Sequence, residues 1–284
     1  MPTVSIVLRA RNEAVWLPEV LHSLSSQTIN NTEWILVDHG STDATAEIAQ
    51  AAGARVVSLA NQNFSYGHAL NLGFEAARSP IAVSLSAHAT PASRRWLESL
   101  LLALDDPRVA ASFGPEWPRS DADPVVRRGL RNRYSERQPR TLDPNGRLTF
   151  GNTNAAVRLD VWRRFRFDEE IPYAEDLEWS LRVMEAGHRV RFTPHAPVYH
   201  SHREPPATVY HRAFAEGRAA RLLRRPQLHH RLPGLCACLL AGSLRDTGTL
   251  VVDGASAAEW KEALARRWCR SLGGWRGYRC GSAG

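Results

Sequence analysis

The chain has 284 residues, 43% hydrophobic and 23% charged, a make-up that excludes a disordered or fibrous protein and leaves room for one large domain, or a domain with an appendage. Its longest unbroken apolar run, residues 235–241, falls far short of the roughly 20 residues that cross a bilayer. The short apolar run at residues 4–8 meets Arg9 and Arg11 at once, unlike a secretory leader, so a cytoplasmic protein is expected.

The net charge of +7 is unevenly placed: residues 119–140 carry seven Arg against two Asp and one Glu, and residues 203–231 carry seven Arg against two Glu. Basic clusters suit nucleic acid, an anionic membrane face or a phosphorylated substrate. Lys261 is the only lysine, so nearly all the positive charge is Arg, which reads equally as solvated surface; nucleic acid is not expected as a partner. Cys236, Cys238, Cys269 and Cys280 lack the paired spacing of a structural zinc site and read as ordinary thiols.

In chain order, residues 4–8 form a strand and 14–26 a helix with Trp16, Val20, Leu21 and Leu24 on one face. A strand at 34–37 follows, then a helix at 43–52 that Ser41 caps and Gly53 ends. Strands at 55–59, 81–85 and 109–113 alternate with helices at 68–77 and 93–104. This alternation predicts right-handed βαβ units, giving an α/β protein whose mostly parallel central sheet has helices on both faces. From 114 to 147 the periodicity fails, and Pro, Asp and Arg suggest a long surface segment. Order returns at 148–157, in a helix at 176–186, and in strands at 190–192 and 198–199. The tail is helical in pattern at 207–223 and 257–268. The division expected is one domain over 1–205, with halves near 1–113 and 114–205, and a basic helical C-terminal extension over 206–284.

In an open parallel sheet, ligands settle at the carboxyl ends of the strands. Polar residues gather there: Arg9 to Glu13 after the first strand, Asp38 to Asp43 after the second, and Ser86 to His88 after the fourth. Three such clusters on one edge point to a polar ligand, and the start of the helix after Ser41 offers backbone N–H groups suited to an anion.

VSIVLRARNEAVWLPEVLHSLSSQT followed by WILVDHGSTDAT resembles the opening of family 2 glycosyltransferases, which bind nucleotide sugars on a GT-A fold. HALNLGFEAA, GNTNAAVRLDVW, AEDLEWSLRVMEAGHRV and PVYHSH resemble, in order, that family's later segments, and together the likeness spans about residues 3–205. It implies that Ala10, Arg11 and Glu13 line the base and ribose pocket, that Asp38 and His39 sit beside the base, and that Asn71 belongs to the donor side. Ser86 to His88 take the place of the family's Asp-x-Asp at the ribose and diphosphate. Asn152, Asn154, Glu175 and Trp179 fall on the acceptor side, and Asp176 becomes the general base of an inverting transfer. Taken by itself, Asp176 at a helix start also reads as a cap, and Glu178 points to another face of the same helix.

Two positions depart from the family pattern. His39 stands where many members have an acid that accepts a hydrogen bond from the base, and imidazole does this only as one tautomer. Ser86 and His88 lack the paired carboxylates that hold a divalent cation. The expectation is that His88 replaces an acid as metal ligand, joined by His200 or His202, which share one face of an extended segment. Imidazole favours manganese or a similar ion over magnesium, and a metal-free site using Arg11 or a tail arginine is the alternative. The expected activity is sugar transfer from a nucleotide sugar to a glycan, a lipid-linked sugar or a small natural product. The basic tail is expected beside the active site or in peripheral contact with an anionic membrane, with a solvated helix face as the other reading. A catalytically silent sugar-nucleotide-binding scaffold, or a nucleotidyltransferase, are the rival readings.

Overall fold

The computed structural model describes residues 3–59, 64–171, 173–201, 204–224 and 232–280. The elements begin β1 (Val4–Ala10), α1 (Leu17–Ser25), β2 (Thr32–Asp38), α2 (Thr45–Ala51), β3 (Arg55–Ser58), α3 (Tyr66–Ala76), β4 (Ile81–Ser86), β5 (Thr90–Pro91), α4 (Trp96–Leu102) and β6 (Val109–Phe113). They continue with β7 (Glu116–Trp117), α5 (Pro124–Arg133), β8 (Arg140–Thr141), β9 (Asn154–Arg158), α6 (Leu159–Arg164), α7 (Glu175–Glu185), β10 (Arg189–Phe192) and β11 (Val198–Tyr199). Three helices close the chain: α8 (Pro206–Leu222), α9 (Leu232–Val252) and α10 (Ala257–Cys280).

Packing divides the chain into two compact units. The first comprises Met1–Trp117, Arg133–Glu170 and Glu175–His200; the second comprises Pro118–Asn132, Ile171–Ala174 and Ser201–Gly284. In the first unit an eight-stranded sheet runs β3-β2-β1-β4-β9-β6-β10-β8. β3, β2, β1 and β4 are mutually parallel, as are β6 and β10. β9 lies antiparallel between β4 and β6, and β8 pairs antiparallel with β10. The apolar residues of β1, β2 and β4 are buried on both faces, which is why these strands read as near-continuous hydrophobic runs. Val4, Ile6, Leu8, Leu36, Val83 and Leu85 pack with Leu17, Val20 and Leu24 of α1 and Trp96, Leu97 and Leu100 of α4. A small second sheet, β5-β11-β7, completes this unit.

Several expectations need correction. The segment from 114 to 147 is not an unstructured surface stretch, since it contains β7, α5 and β8. These elements are short or Arg-rich, so they leave no apolar period to read. Ser41 does not cap α2: the cap position is Ala44, without a side-chain cap bond, and the Ser41 hydroxyl donates to Asp38 instead. α10 runs on to Cys280, twelve residues beyond the expected Trp268. Its late glycines are contact points rather than breakers: a Cβ on Gly277 would lie 1.9 Å from the Phe214 carbonyl oxygen of α8, so only a glycine admits that close approach. α9 had no counterpart in the expected elements. Gly242, Ser243, Arg245 and Asp246 interrupt its apolar run, yet as a continuous helix the stretch Pro233–Val252 is long and apolar enough, by length and composition, to cross a membrane.

Candidate active site

The order β3-β2-β1-β4 places the switch in strand order at β1, and the register aligns the strand ends. Ala10 pairs with Asp38 and Arg9 with Ser86, so the loops after β1, β2 and β4 leave the sheet side by side. Asn12 (φ 56°) and Gly40 (φ 63°) adopt the left-handed backbone that lets the first two loops turn sharply. Side chains then knit these loops together. The Asn12 N–H donates to Ser41 Oγ at 2.9 Å, the Thr42 N–H to Asn12 Oδ1 at 2.8 Å, and the Glu13 N–H to Thr45 Oγ1 at 2.7 Å. Asp38 is buried and accepts the Ser41 N–H at 3.2 Å, so part of its capacity serves its own turn.

His39 stacks on Phe64 at 4.2 Å, Phe64 meets Tyr66 edge-on at 5.0 Å, and the Arg9 guanidinium lies over the Tyr66 ring at 5.7 Å. Burial and then the nearby Arg11 charge lower the His39 pKa, only partly countered by Asp38. The shift favours the neutral ring, which has one donor and one acceptor nitrogen. Phe64 and Tyr66 were not singled out from the sequence; the signal was the aromatic pair in NFSYGH at the start of α3.

The residues that follow β4 and β11 meet. His88 Nε2 lies 3.0 Å from His200 Nε2, with the rings stacked at 4.9 Å. His88 Nδ1 bonds Glu13 Oε1 at 2.7 Å, and His200 Nδ1 bonds Glu116 Oε2 at 2.6 Å. Ser86 Oγ is 3.3 Å from the His88 ring nitrogens. Each carboxylate fixes its ring with Nδ1 as donor, leaving the two Nε2 atoms face to face. The 3.0 Å Nε2–Nε2 contact is a hydrogen bond when one ring carries its proton there, and with neither Nε2 protonated the pair would offer two adjacent donors to a cation. The donor set fits a divalent ion of the softer first row, completed by substrate oxygens and water. No group of three or more His, Cys, Asp or Glu poised to hold a metal occurs among the described residues, so the protein would supply two imidazole donors. His202 lies outside the described residues.

Glu116 was missed in the sequence because it sits in the stretch read as surface. Burial alone would raise its pKa, but His200, Arg133 and the Tyr134 hydroxyl outweigh burial and hold it down at about 2. Tyr134 donates to Glu116 Oε1 at 2.6 Å, and burial followed by that charge raises its own pKa well above the usual phenol.

Among the residues expected on the acceptor side, Asp176 is the second residue of α7 and partly open. Its Oδ2 accepts the Asn152 N–H at 3.3 Å and its Oδ1 accepts the Leu177 N–H at 2.7 Å. It does not occupy the helix cap. Burial raises its pKa, opposed by these two N–H groups and by Arg133 and Arg9. The neighbouring Glu175 is buried, and burial with the adjacent Asp176 charge lifts it to about 7, against the pull of Arg9. Asn152 is also buried, its carbonyl accepting from Ser84 Oγ at 2.6 Å. Glu178 pairs with Arg182 at 2.7 Å and is not a second base at this place.

Three expected site residues are structural. Asn71 is buried with its amide spent: Nδ2 donates to the Phe167 carbonyl at 2.9 Å and to Glu169 at 2.7 Å, and Oδ1 accepts from Trp162 at 3.0 Å and from the Phe167 N–H at 3.2 Å. Asn154 is likewise buried, bonding the Trp96 indole at 2.8 Å and the Ala196 carbonyl at 2.7 Å. Trp179 is a core side chain whose indole donates to the Phe165 carbonyl at 2.5 Å. These residues help to fix the fold, and the Asn71 amide, with two donor and two acceptor bonds made, has nothing left to offer a ligand.

Comparison with known proteins agrees with this fold. The family model described as glycosyl transferase family 2 matches residues 5–165. An O-antigen chain rhamnosyltransferase of Salmonella typhimurium is 26% identical over 223 residues, covering 75% of this chain and 71% of that protein. A pre-mycofactocin glycosyltransferase of Mycobacterium tuberculosis is 31% identical over 261 residues, 87% of this chain but 53% of its own length. Among solved structures, a mannosyltransferase of Pyrobaculum calidifontis in complex with GDP-Man and Mn2+ superposes with a TM-score of 0.65 at 21% identity, covering 96% of this chain and 87% of that one. Since the family match takes in more than half of the 284 residues, the chain belongs to glycosyl transferase family 2 and is an enzyme of glycosyl transfer.

Proposed function

We propose that this enzyme moves a sugar, with inversion, from a nucleoside diphosphate sugar to a hydroxyl of a glycan, a lipid-linked sugar or a small natural product. The observation that carries the reading is the partly open Asp176 carboxylate, held by the Asn152 N–H at 3.3 Å on the sheet whose strand ends present Arg11, Glu13, His39, Ser86 and His88. Asp176 takes the proton of the acceptor hydroxyl as that oxygen bonds to the anomeric carbon. The bond from that carbon to the diphosphate breaks, and its electron pair leaves with the nucleoside diphosphate. Glu175, which holds its proton up to about pH 7, keeps a second negative charge away from the same place. His39, with Phe64 stacked on it, suits the face and edge of a base, and Ala10 closes the pocket beside Asp38.

His88 and His200 would hold a divalent cation, manganese in preference to magnesium, and when bound it supplies positive charge for the leaving diphosphate. The GDP-Man and Mn2+ in the mannosyltransferase neighbour support a nucleotide-sugar donor and such an ion. A cytoplasmic location, with peripheral contact between the basic second unit and an anionic membrane face, fits a lipid-linked acceptor. The test is a panel of nucleotide sugars with release of nucleoside diphosphate as readout. Release from one donor, supported by manganese better than magnesium, is expected; no release from any donor overturns the proposal. Full activity in excess chelator together with an unimpaired His88→Ala would assign the leaving-group charge to Arg11 instead.

A further inference from the structure

We propose that the outward face of α9 is a lipid-docking surface that lies in the plane of an anionic bilayer interface. The inference deepens the membrane contact proposed above and rests on it. α9 is amphipathic in the reverse sense from a core helix. Cys236, Leu240, Leu244, Gly248, Val251 and Val252 recur at helical spacing on one stripe, and all are exposed. The large ones are widely so: Leu240 is 71% exposed, Leu244 73%, Val251 64% and Val252 84%. Single exposed leucines are ordinary, whereas a continuous stripe of large apolar side chains marks an interaction surface.

The polar residues of α9 explain why this stripe faces out. Asp246 is 0% exposed and accepts from Arg267 at 2.7 and 2.8 Å and from Arg128 at 2.5 Å. Arg128 also donates to the Arg245 carbonyl at 2.6 Å, and the Arg267 side chain runs across α9 where Gly242 leaves room, 3.0 Å from the place of a Cβ. Turning α9 to hide its leucines would tear Asp246 from both guanidinium groups and leave a buried charge unpaired, so the apolar stripe is locked outward.

The occupant follows from charge and from the helix's other face. The second unit carries 18 Arg and Lys against 8 Asp and Glu, while the first carries 18 against 21. Arg245 stands exposed beside the stripe, and Arg218, Arg221, Arg224, Arg270 and Arg276 are exposed elsewhere on the same unit. Anionic headgroups are the complement of such a surface, and two copies of it would repel each other. A spanning arrangement is disfavoured, because α9 would have to take into the hydrocarbon its ion-paired Asp246 together with Arg267 of α10 and Arg128 of α5. A helix with one protein-packed polar side and one apolar side lies along the interface instead. The basic stretch of α8 singled out from the sequence contributes attraction at a distance; α9 supplies the apolar insertion.

Co-sedimentation of the full chain with phosphatidylcholine vesicles, with and without phosphatidylglycerol, tests this. The expected result is binding to the anionic vesicles, weakened about tenfold or more in the Leu240→Glu, Leu244→Glu double variant while its helical circular dichroism and nucleotide-sugar turnover stay unchanged. Binding of equal strength in the double variant overturns the α9 assignment and leaves the peripheral-membrane reading standing. No binding by the unaltered chain overturns both. Loss of a dimer in the double variant without any vesicle binding assigns the stripe to a second copy and overturns the lipid occupant. Spin labels at Cys236 and at Leu244→Cys and Val251→Cys, with the other cysteines changed to Ser, separate orientations: similar shallow depths are expected, and a steady change in depth from 236 to 251 means a spanning helix.

Discussion

Asp176 meets the two demands on a general base: it is fixed in place by the Asn152 and Leu177 N–H groups, and it still reaches solvent. Asp176→Asn is expected to lower kcat by about a hundredfold or more while leaving the donor KM within about twofold, because in the proposed reaction the side chain serves the acceptor. A kcat close to that of the unaltered enzyme would remove Asp176 from the chemistry. Glu116 acts at one remove, through His200. Glu116→Gln keeps the size and removes the charge, so manganese affinity, read by paramagnetic resonance, is expected to fall between about ten- and a hundredfold with donor binding in the absence of metal unchanged. Unaltered manganese affinity would show that His200 needs no carboxylate behind it. At this scale the sequence was legible where a residue stands at a strand end beside its partners, as with Glu13, His39 and His88. It misled at Asn71 and Asn154, which look polar and available in the chain but are spent on the Phe167 and Ala196 carbonyls. Glu116 was unreadable, since nothing local says that residue 116 returns to residue 200.

At the scale of elements, β1, β2 and β4 announced themselves as apolar runs because both of their faces are covered, and the intervening helices followed from their periodicity. β9 could be located but not oriented: its antiparallel place between β4 and β6 is a tertiary choice that no window of sequence encodes. The tail was misread for a different reason. Gly273, Gly274 and Gly277 resemble helix breakers, yet they sit inside α10 where α8 comes close. Gly277→Val is therefore expected to destabilise the second unit by about 1–3 kcal/mol, lowering its thermal midpoint, because the added side chain meets the Phe214 carbonyl rather than a flexible neighbour. An unchanged midpoint would mean that α8 and α10 do not depend on that contact.

Across the whole molecule, the site keeps a carboxyl group that the fold would rather not ionise. Glu175, near 7 in the folded chain against 4.5 as its ordinary value, binds a proton that the unfolded chain has already lost between those two pH values. Its contribution to stability is full below about pH 4.5 and declines as pH rises towards 7. Glu175→Gln removes that cost, so the variant is expected to gain stability over the unaltered chain at pH 8, by at most about 3 kcal/mol, and to gain nothing at pH 4. Equal gains at both pH values would show that ionisation of Glu175 is not the cause. The adjacency of Glu175 and Asp176, both raised in pKa by burial, goes with the proposed single displacement, in which one carboxylate of the pair serves as base. The most direct measurement is proton NMR of the anomeric signal in the first product formed from a donor that the enzyme accepts. The configuration opposite to that of the donor is expected from the earliest time points. A product that keeps the donor's configuration would contradict it, because a single displacement assisted by Asp176 cannot give retention.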